Sequence, residues 1–418
     1  MNPPFEANDE TGHYAYIDSV ARTRALPDAM SESDRALIDQ SHQPPLYYVL
    51  GAVLTGWVAD RGPKLMPVTN VFAVDGTNRR GARILLRQPE EAFPWRGAAL
   101  GVHMARLVSA VMGALMILLV GWSAQIVFAK LPLAAVLSAG LAALNPQIVF
   151  MSSMVNNDIM VSLVGAWVVW LLLRIVAAQT VLGWRLFAWL GLALGLGILS
   201  KNNSYALVGL GAVILVALSL RRRWPVRVAL TNAAATIVPF VAVSLPYFVY
   251  SLGRYGRLLV DRNAANPILS APTSVFGDGI AVALRDQWLP QIFVSAFRQS
   301  WGVFGWGTIQ YPGIVYDILA IVCAAGLVGF VVGFGKASPA LRERLAVMAS
   351  LGLAMTILPL YRAIYFQMPG LMPGRYLMPA ATGYACAIGF GLYSLLGVLR
   401  SETARRLCVA LPLVSLAF

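Results

Sequence analysis

Asp9 and Glu10 stand side by side in PPFEANDETGHYAYI, positions 3 to 17. Adjacent carboxylates repel, so water must solvate both, or the surroundings must supply a cation or shared proton, or one pKa must rise. If Asn8 caps a helix running through Ala15, Asp9 and His13 share one face at i and i+4, while Glu10 faces Tyr14. That face is polar, acidic and aromatic together. The alternative is a solvated acidic helix start, because the first turn of a helix welcomes carboxylates.

Other polar groups recur much later in the chain. NPQIVFMSSMVNNDIMVSLVGAW, positions 145 to 167, carries Asn156, Asn157 and Asp158, where a carboxylate is either a helix cap or part of a site. GLALGLGILSKNN, positions 191 to 203, ends in Lys201 and two asparagines, and its glycines permit close helix packing. Lys201 either snorkels to an interface or binds phosphate. MPGRYLMPA, positions 372 to 380, sets Arg375 beside Tyr376. A guanidinium there either anchors headgroups or grips a phosphate through two parallel hydrogen bonds. QSWGVFGWGTIQYPG, positions 299 to 313, holds Trp301 and Trp306, as membrane-belt aromatics or as stacking surfaces for sugar or lipid. Three scattered histidines argue against a histidine zinc site, and His103 and Arg106, one turn apart, read as anchors at a helix entrance.

The elements that must position these groups are membrane helices. Of 418 residues, 58% are hydrophobic and 12% charged, and the mean hydropathy is +0.68. Soluble domains run to about 25% charged. Apolar runs near the roughly 20 residues that cross a bilayer recur from position 104 onward. Candidate spans lie at 104–129, 131–150, 159–178, 184–200, 203–220, 228–250, 313–334, 345–366 and 376–399, with another beginning at 406. The fold class is therefore an all-α polytopic membrane protein. Its net charge of +13 marks cytoplasmic loops rather than a nucleic-acid partner. Cys323, Cys386 and Cys408 offer neither a disulfide framework nor metal spacing.

Residues 1–103 read as a large polar first loop. Within it HQPPLYYVLGAVLTGWV, positions 42 to 58, is too short to cross and suits an interfacial helix opened by two prolines. Residues 59–97 read as an insertion rich in Gly, Pro and Arg. Helices follow at 104–250, then a second long loop at 251–312 that could act as a lid, then helices over 313–418. Arg221, Arg222, Arg223 and Arg227 make the densest basic loop and are assigned to the cytoplasm. Counting spans from there puts Asp9, Glu10, His13, His42, Asn156, Asn157, Asp158, Lys201, Arg362 and Arg375 all on the extracytoplasmic side. That topology also calls for a helix ahead of Met1, and for a last span continuing past Phe418.

These motifs, in this order, resemble the GT-C superfamily of glycosyltransferases that use polyprenyl-phosphate sugars, including the protein mannosyltransferase and lipid A aminoarabinose transferase branches. The acidic pair in EANDETGHYAYI resembles the first-loop Asp-Glu, HQPPLYYVLGA the Lys-Pro-Pro-Leu interfacial helix and MARLVSAVMGAL the following span. NPQIVFMSSMVNNDIM resembles the loop with the second acidic residue, LGLGILSKNN the helix ending in Lys, and PGRYLMPA the late Arg-Tyr. With SWGVFGWG, the set is most similar to a bacterial branch of polytopic membrane proteins. The resemblance covers most of the chain. It implies a GT-C-like bundle of about 10 transmembrane helices in the bacterial inner (plasma) membrane, with its active site on the extracytoplasmic face.

Carried over position by position, the resemblance makes Asp9 the base, with Glu10 beside it, and Asp158 the second acidic residue. It makes Lys201 and Arg375 the phosphate contacts. Substrate binding is further assigned to His13, His42, Gln43, Asn157, Trp301, Trp306 and Tyr376. Two features depart from the family: Gln43, preceded by His42, stands where the family has Lys before the two prolines, and the 59–97 insertion replaces a compact first loop. The implied partners are a polyprenyl-phosphate-linked sugar, a glycan, lipid or protein acceptor and the lipid bilayer, with no nucleic acid. No cofactor is required by this chemistry, although a divalent cation held in part by Asp158 is an option. The chief alternative is a transporter or lipid-linked sugar flippase using the same polar cluster as a gate. A third is a non-catalytic scaffold, which has no need to gather these groups in space.

Overall fold

The computed structural model describes residues 3–58, 68–70, 85–178, 183–258, 260, 284–285, 288–365 and 372–397. Three helices lie ahead of the bundle: α1 (Glu10–Thr23), α2 (Glu32–Leu37) and α3 (Leu46–Thr55). Pro44 and Pro45 stop the chain from being helical earlier, so α3 has only 10 residues and cannot cross a bilayer. It buries Tyr47, Tyr48 and Ala52 on one side and exposes Val49, Val53 and Leu54 on the other, as an interfacial helix does. Gly51 lets α3 approach α1, since a Cβ there would sit 2.7 Å from Ile17 Cδ1. The described parts of the 59–97 insertion are a two-residue antiparallel pair, β1 (Val68–Thr69) with β2 (Leu85–Leu86), and a short turn of 3-10 helix over Pro89–Glu91.

The bundle proper runs through α4 (Gly97–Val127), α5 (Pro132–Ala143), α6 (Pro146–Ser152), α7 (Asp158–Ala177), α8 (Trp184–Ser200), α9 (Tyr205–Arg221) and α10 (Val226–Tyr255). After it come α11 (Trp288–Trp301), the hairpin β3 (Val303–Phe304) and β4 (Ile309–Gln310), α12 (Gly313–Lys336), α13 (Pro339–Tyr365) and α14 (Ala381–Leu396). Among the described residues, six helices are long and apolar enough to cross a membrane, or seven if the bent pair α5–α6 is one span. Large apolar side chains such as Val213, Leu230, Ile321 and Val331 remain exposed on these helices, as lipid-facing surface must be. The expected span at 131–150 breaks by 53° between α5 and α6. Asn145 causes the break: it caps α6 by accepting from the Gln147 and Ile148 amides, and Pro146 fills the first helical position. The expected span at 376–399 likewise begins as a 3-10 helix over Gly374–Ala380, with Pro379 inside it. The span expected from 406 lies outside the described residues, as do residues 259, 261–283 and 286–287 of the suggested lid.

α7 is the most enclosed span, packed on α4 and α8 with much of the core around Leu171, Leu172 and Ile175. Its two ends differ in chemistry. At the C-terminal end, Arg222 donates to the carbonyls of Val176 and Ala178, while Arg344 and Arg342 do the same for Ile126 at the end of α4 and for Phe334 and Gly335 at the end of α12. Cations thus meet the negative ends of three helices. At the N-terminal end, α7 starts with Asp158, and the polar cluster described below gathers there. Between these ends the helices pack through small residues, most closely where Gly391 of α14 lies against the Gly326 carbonyl of α12 and Gly329 lies against the Gly391 carbonyl. Gly391→Val should therefore force α12 and α14 apart and cost about 1–3 kcal/mol. The midpoint of thermal unfolding in detergent should fall, whereas Gly335→Val, at a position with open space around it, should leave it near the wild-type value.

Candidate active site

Four segments far apart in sequence meet at the N-terminal end of α7. Asp9 precedes α1 and holds a left-handed backbone, φ 65°, an uncommon conformation that Asp tolerates better than most residues. Its side chain makes no capping bond to α1. Instead its carboxylate accepts from Arg375 Nη2 at 2.5 Å. Asp158 is similarly spared from capping, because Asn156 Oδ1 accepts the Ile159 amide and does that work. Asp158 Oδ1 takes a hydrogen bond from Lys201 Nζ at 2.6 Å, while its Oδ2 accepts none and lies 3.8 Å from Arg375 Nε. Arg375 thus faces both carboxylates. Lys201 is 7% exposed, so it does not snorkel to an interface. It also donates to Asn157 Oδ1 at 3.3 Å and lies over the Tyr376 ring at 4.9 Å.

A chain of neutral groups continues from this quartet. Asn157 Nδ2 donates to Gln43 Oε1 at 3.2 Å and to the Ser200 carbonyl, and Gln43 Nε2 lies 3.0 Å from His42 Nε2. His13 is buried, with Nδ1 2.8 Å from the Tyr48 hydroxyl, and Tyr48 stacks on Tyr16 at 3.8 Å. Of the residues expected from sequence, Asp9, Asp158, Lys201, Arg375, Tyr376, Asn157, Gln43 and His42 are thus linked by contacts. His13 lies close enough for its titration to feel the two aspartates and both cations.

Three expected site residues stand elsewhere. Glu10, assigned to the chemistry beside Asp9, is fully buried and has all its acceptor positions filled. Arg106 donates to it through Nε at 2.8 Å and Nη2 at 2.7 Å, and the amides of Phe5 and Val155 add bonds at 2.9 and 3.0 Å. The left-handed turn at Asp9 sends the two adjacent carboxylates to different partners, which removes their repulsion. Trp301 is 7% exposed and packs near Phe297, away from the charged groups and on the wall of an apolar cavity. Trp306 is 40% exposed and donates through Nε1 to the Phe5 carbonyl, a contact with the first loop rather than with the charged groups. Reading the sequence missed Arg106 as the partner of Glu10 and Tyr48 as the partner of His13. The bidentate pair had one available signal, a lone Arg inside an otherwise apolar helix, where an ionised group needs a partner.

Electrostatically the quartet is balanced, two carboxylates against two cations. Burial pushes the Asp9 carboxyl up, but the charge and hydrogen bond of Arg375, helped by Lys201, outweigh it and hold the group below its ordinary value of 3.8. Burial drives His13 down to about 3, so its ring is neutral at physiological pH. Each site aspartate is already held by a cation. Among the described residues, no group of three or more His, Cys, Asp and Glu side chains is placed to hold a metal ion.

The expected resemblance has an independent counterpart. Residues 99–247 match the family of dolichyl-phosphate-mannose-protein mannosyltransferases. The match bears out the GT-C resemblance over that stretch, less than half of the chain, which includes Asp158 and Lys201 but neither Asp9 nor Arg375. No curated protein matches the chain. Among solved structures, ArnT from Cupriavidus metallidurans in the apo state is 15% identical, with 92% of this chain and 72% of that one covered and a TM-score of 0.39. The same protein bound to undecaprenyl phosphate is also 15% identical, with coverage of 94% and 73% and a TM-score of 0.38.

The neutral, buried state of His13 has a measurable consequence. Its folded pKa lies below the unfolded value of 6.5, so between about pH 3 and 6.5 the unfolded chain binds a proton that the folded chain does not. The stability is fully present above pH 6.5 and is lost progressively as pH falls toward 3. Asp9 adds a loss of the same sign only below 3.8. The thermal midpoint should therefore fall on acidification from pH 6.5 to 4, and His13→Gln should flatten that slope. An unchanged slope in the variant would contradict the burial of a neutral ring.

Proposed function

We propose that the protein is a membrane glycosyltransferase that moves a sugar from a polyprenyl-phosphate donor to an acceptor hydroxyl. We place its active site on the extracytoplasmic face of the bacterial inner membrane. The reading is carried by one observation: two carboxylates and two cations, contributed by four distant segments, are held in mutual contact at one end of the bundle. A scaffold needs no such convergence. The sorting of arginines to the opposite end supports the orientation, because basic residues accumulate on the cytoplasmic side.

An amphiphilic donor also suits what surrounds the quartet. The 3-10 helix over Gly374–Ala380 presents Arg375 and Tyr376 to the charged groups, while Gly374, Leu377 and Met378 line an apolar cavity of about 420 Å³. Phe293, Phe297, Trp301 and Leu327 complete much of that lining. A phosphate bound at Arg375 would thus have apolar space for the adjoining isoprenoid units.

The chemistry asks little of the protein, since a sugar linked to phosphate carries its own leaving group. Asp9 takes the proton of the acceptor hydroxyl as that oxygen bonds to the anomeric carbon. The bond from the anomeric carbon to the phosphate oxygen breaks in the same step, inverting the centre, and its electron pair leaves with the polyprenyl phosphate. Arg375 and Lys201 offset the charge that develops there. Asp158 fixes Lys201 and faces Arg375, and so orients the clamp. The Gln43–Asn157 amides and His42 supply neutral donors and acceptors for sugar hydroxyls.

Radiolabelled polyprenyl-phosphate sugars offered to membranes containing the protein provide the test. Asp9→Asn should lower transfer by about a hundredfold to ten-thousandfold, the usual worth of a positioned base, with the fold retained. Arg375→Gln should weaken donor use as well as turnover. Full transfer by Asp9→Asn would remove Asp9 from the role of base.

A further inference from the structure

On the outer side of α11 lies an open cleft of about 580 Å³, walled by that helix and the β3–β4 hairpin. α11 is strongly two-faced. Ile292 and Ala296 pack into a small core with Ala363 and Met372, while Gln291, Ser295, Arg298 and Gln299 line the cleft at helical spacing. Gln310 faces them from the hairpin. Neither wall stands apart from the charged quartet. Gln299 Oε1 accepts the Gly374 amide at 3.2 Å, one residue before Arg375, and a Cβ on Gly374 would meet the Ala296 carbonyl at 2.5 Å, so backbone lies against backbone. The hairpin reaches the segment that carries Asp9, since Trp306 donates to the Phe5 carbonyl four residues before it.

We infer that this cleft binds the acceptor, and that the acceptor is a glycan. The inference rests on the glycosyltransferase reading and adds a substrate class to it. The Gln291 amide, the Gln310 Oε1 and the Ser295 hydroxyl, which is held by Gln299 Nε2 at 3.0 Å, offer donors and acceptors together, which matches the paired donor and acceptor character of neighbouring sugar hydroxyls. Arg298, set over the Tyr316 ring at 5.3 Å, adds a fixed cation that selects for an acidic or phosphorylated sugar. The apolar cavity described above lies on the other side of α11 and accounts for a lipid chain, leaving the polar cleft to the acceptor. Because its walls touch Gly374 and Phe5, in the segments that carry Arg375 and Asp9, a glycan seated there lies beside both the clamp and the base.

The test uses the full chain in detergent, with mannotetraose and its phosphorylated form as glycan probes and a Ser/Thr-rich peptide as the rival acceptor. Binding is read by thermophoresis, and transfer is read with radiolabelled polyprenyl-phosphate mannose. Gln291→Ala/Arg298→Ala should weaken tetraose binding by about tenfold or more, and the phosphorylated form by a larger factor. Val294→Trp, at an exposed position on the cleft wall, should block both probes by filling the space. In both variants, release of mannose from the donor to water should stay at the wild-type rate, which separates a damaged acceptor site from a damaged catalytic one. Absence of tetraose binding by the wild-type protein, unchanged binding in both variants, or transfer to the peptide with the cleft variants affecting it equally, would overturn the inference. Loss of donor turnover by the wild-type protein would instead count against the glycosyltransferase reading, and the binding arm would still decide the cleft.

Discussion

A charge removed from water must meet its opposite, and at this end of the bundle that requirement fixes the course of the chain. The Glu10–Arg106 pair shows it most fully. Both side chains are buried, and the pair ties the entry of α1 to α4 while Glu10 also takes the Val155 amide. Arg106 reaches back further to the Pro3 carbonyl. Such a pair adds little net stability over apolar packing of the same volume, because desolvation consumes most of the Coulombic gain. What it does is specify position. The first loop, which carries Asp9, is clasped to the Arg106 guanidinium, and the loop that leads into Asp158 at the start of α7 is clasped to the Glu10 carboxylate.

The charged quartet follows the same rule with a different balance of exposure. Asp158 and Lys201 are nearly closed off, at 1% and 8% side-chain exposure, whereas Asp9 and Arg375 keep 28% and 20%. The inner pair is thus a fixed support and the outer pair is open to a ligand. The backbone conformation agrees, since a non-glycine residue in the left-handed region costs roughly 1–2 kcal/mol and persists only where its surroundings hold it. At Asp9 those surroundings are the neighbouring Glu10 clasp and the Arg375 contact.

Much of the fold was legible because lipid imposes length and apolarity on a span, and those properties are written locally. Nine stretches expected to cross correspond to helices or, at 131–150, to the bent pair. That break depended on a capping bond and a proline at one junction, signals that hydropathy averages away. Within the candidate site, polar residues that loop position did not explain pointed to Asp158, Lys201 and Arg375, which the fold brings together. What could not be read was direction. Asp9 and Glu10 are consecutive and chemically alike, and only the left-handed turn between loop and helix decides which one faces Arg375 and which faces Arg106. The place of Trp301, on the wall of the apolar cavity rather than beside the charges, was illegible for a related reason, since an aromatic beside glycines serves a core as readily as a binding surface.

The pairing of Asp9 with Arg375 carries an apparent contradiction for a catalytic base, because a guanidinium that holds a carboxylate ionised also makes it a poor proton acceptor. On the proposed glycosyltransferase chemistry, the contradiction resolves if Arg375 is shared with the donor phosphate. Burial by itself pushes the Asp9 carboxyl up, and the Arg375 cation is what outweighs that push. A donor phosphate competing for the same guanidinium spreads its charge over two anions and weakens its hold on Asp9. Burial then acts with less opposition, and the carboxylate becomes more basic when the leaving group is in place. Lys201, held by Asp158 and Asn157, adds its charge to the clamp but makes no bond to Asp9 and so does not replace Arg375 in this exchange. On this account the two ends of the reaction are coupled through one side chain: the group that stabilises the departing phosphate is the same group that, in its absence, keeps the base at rest.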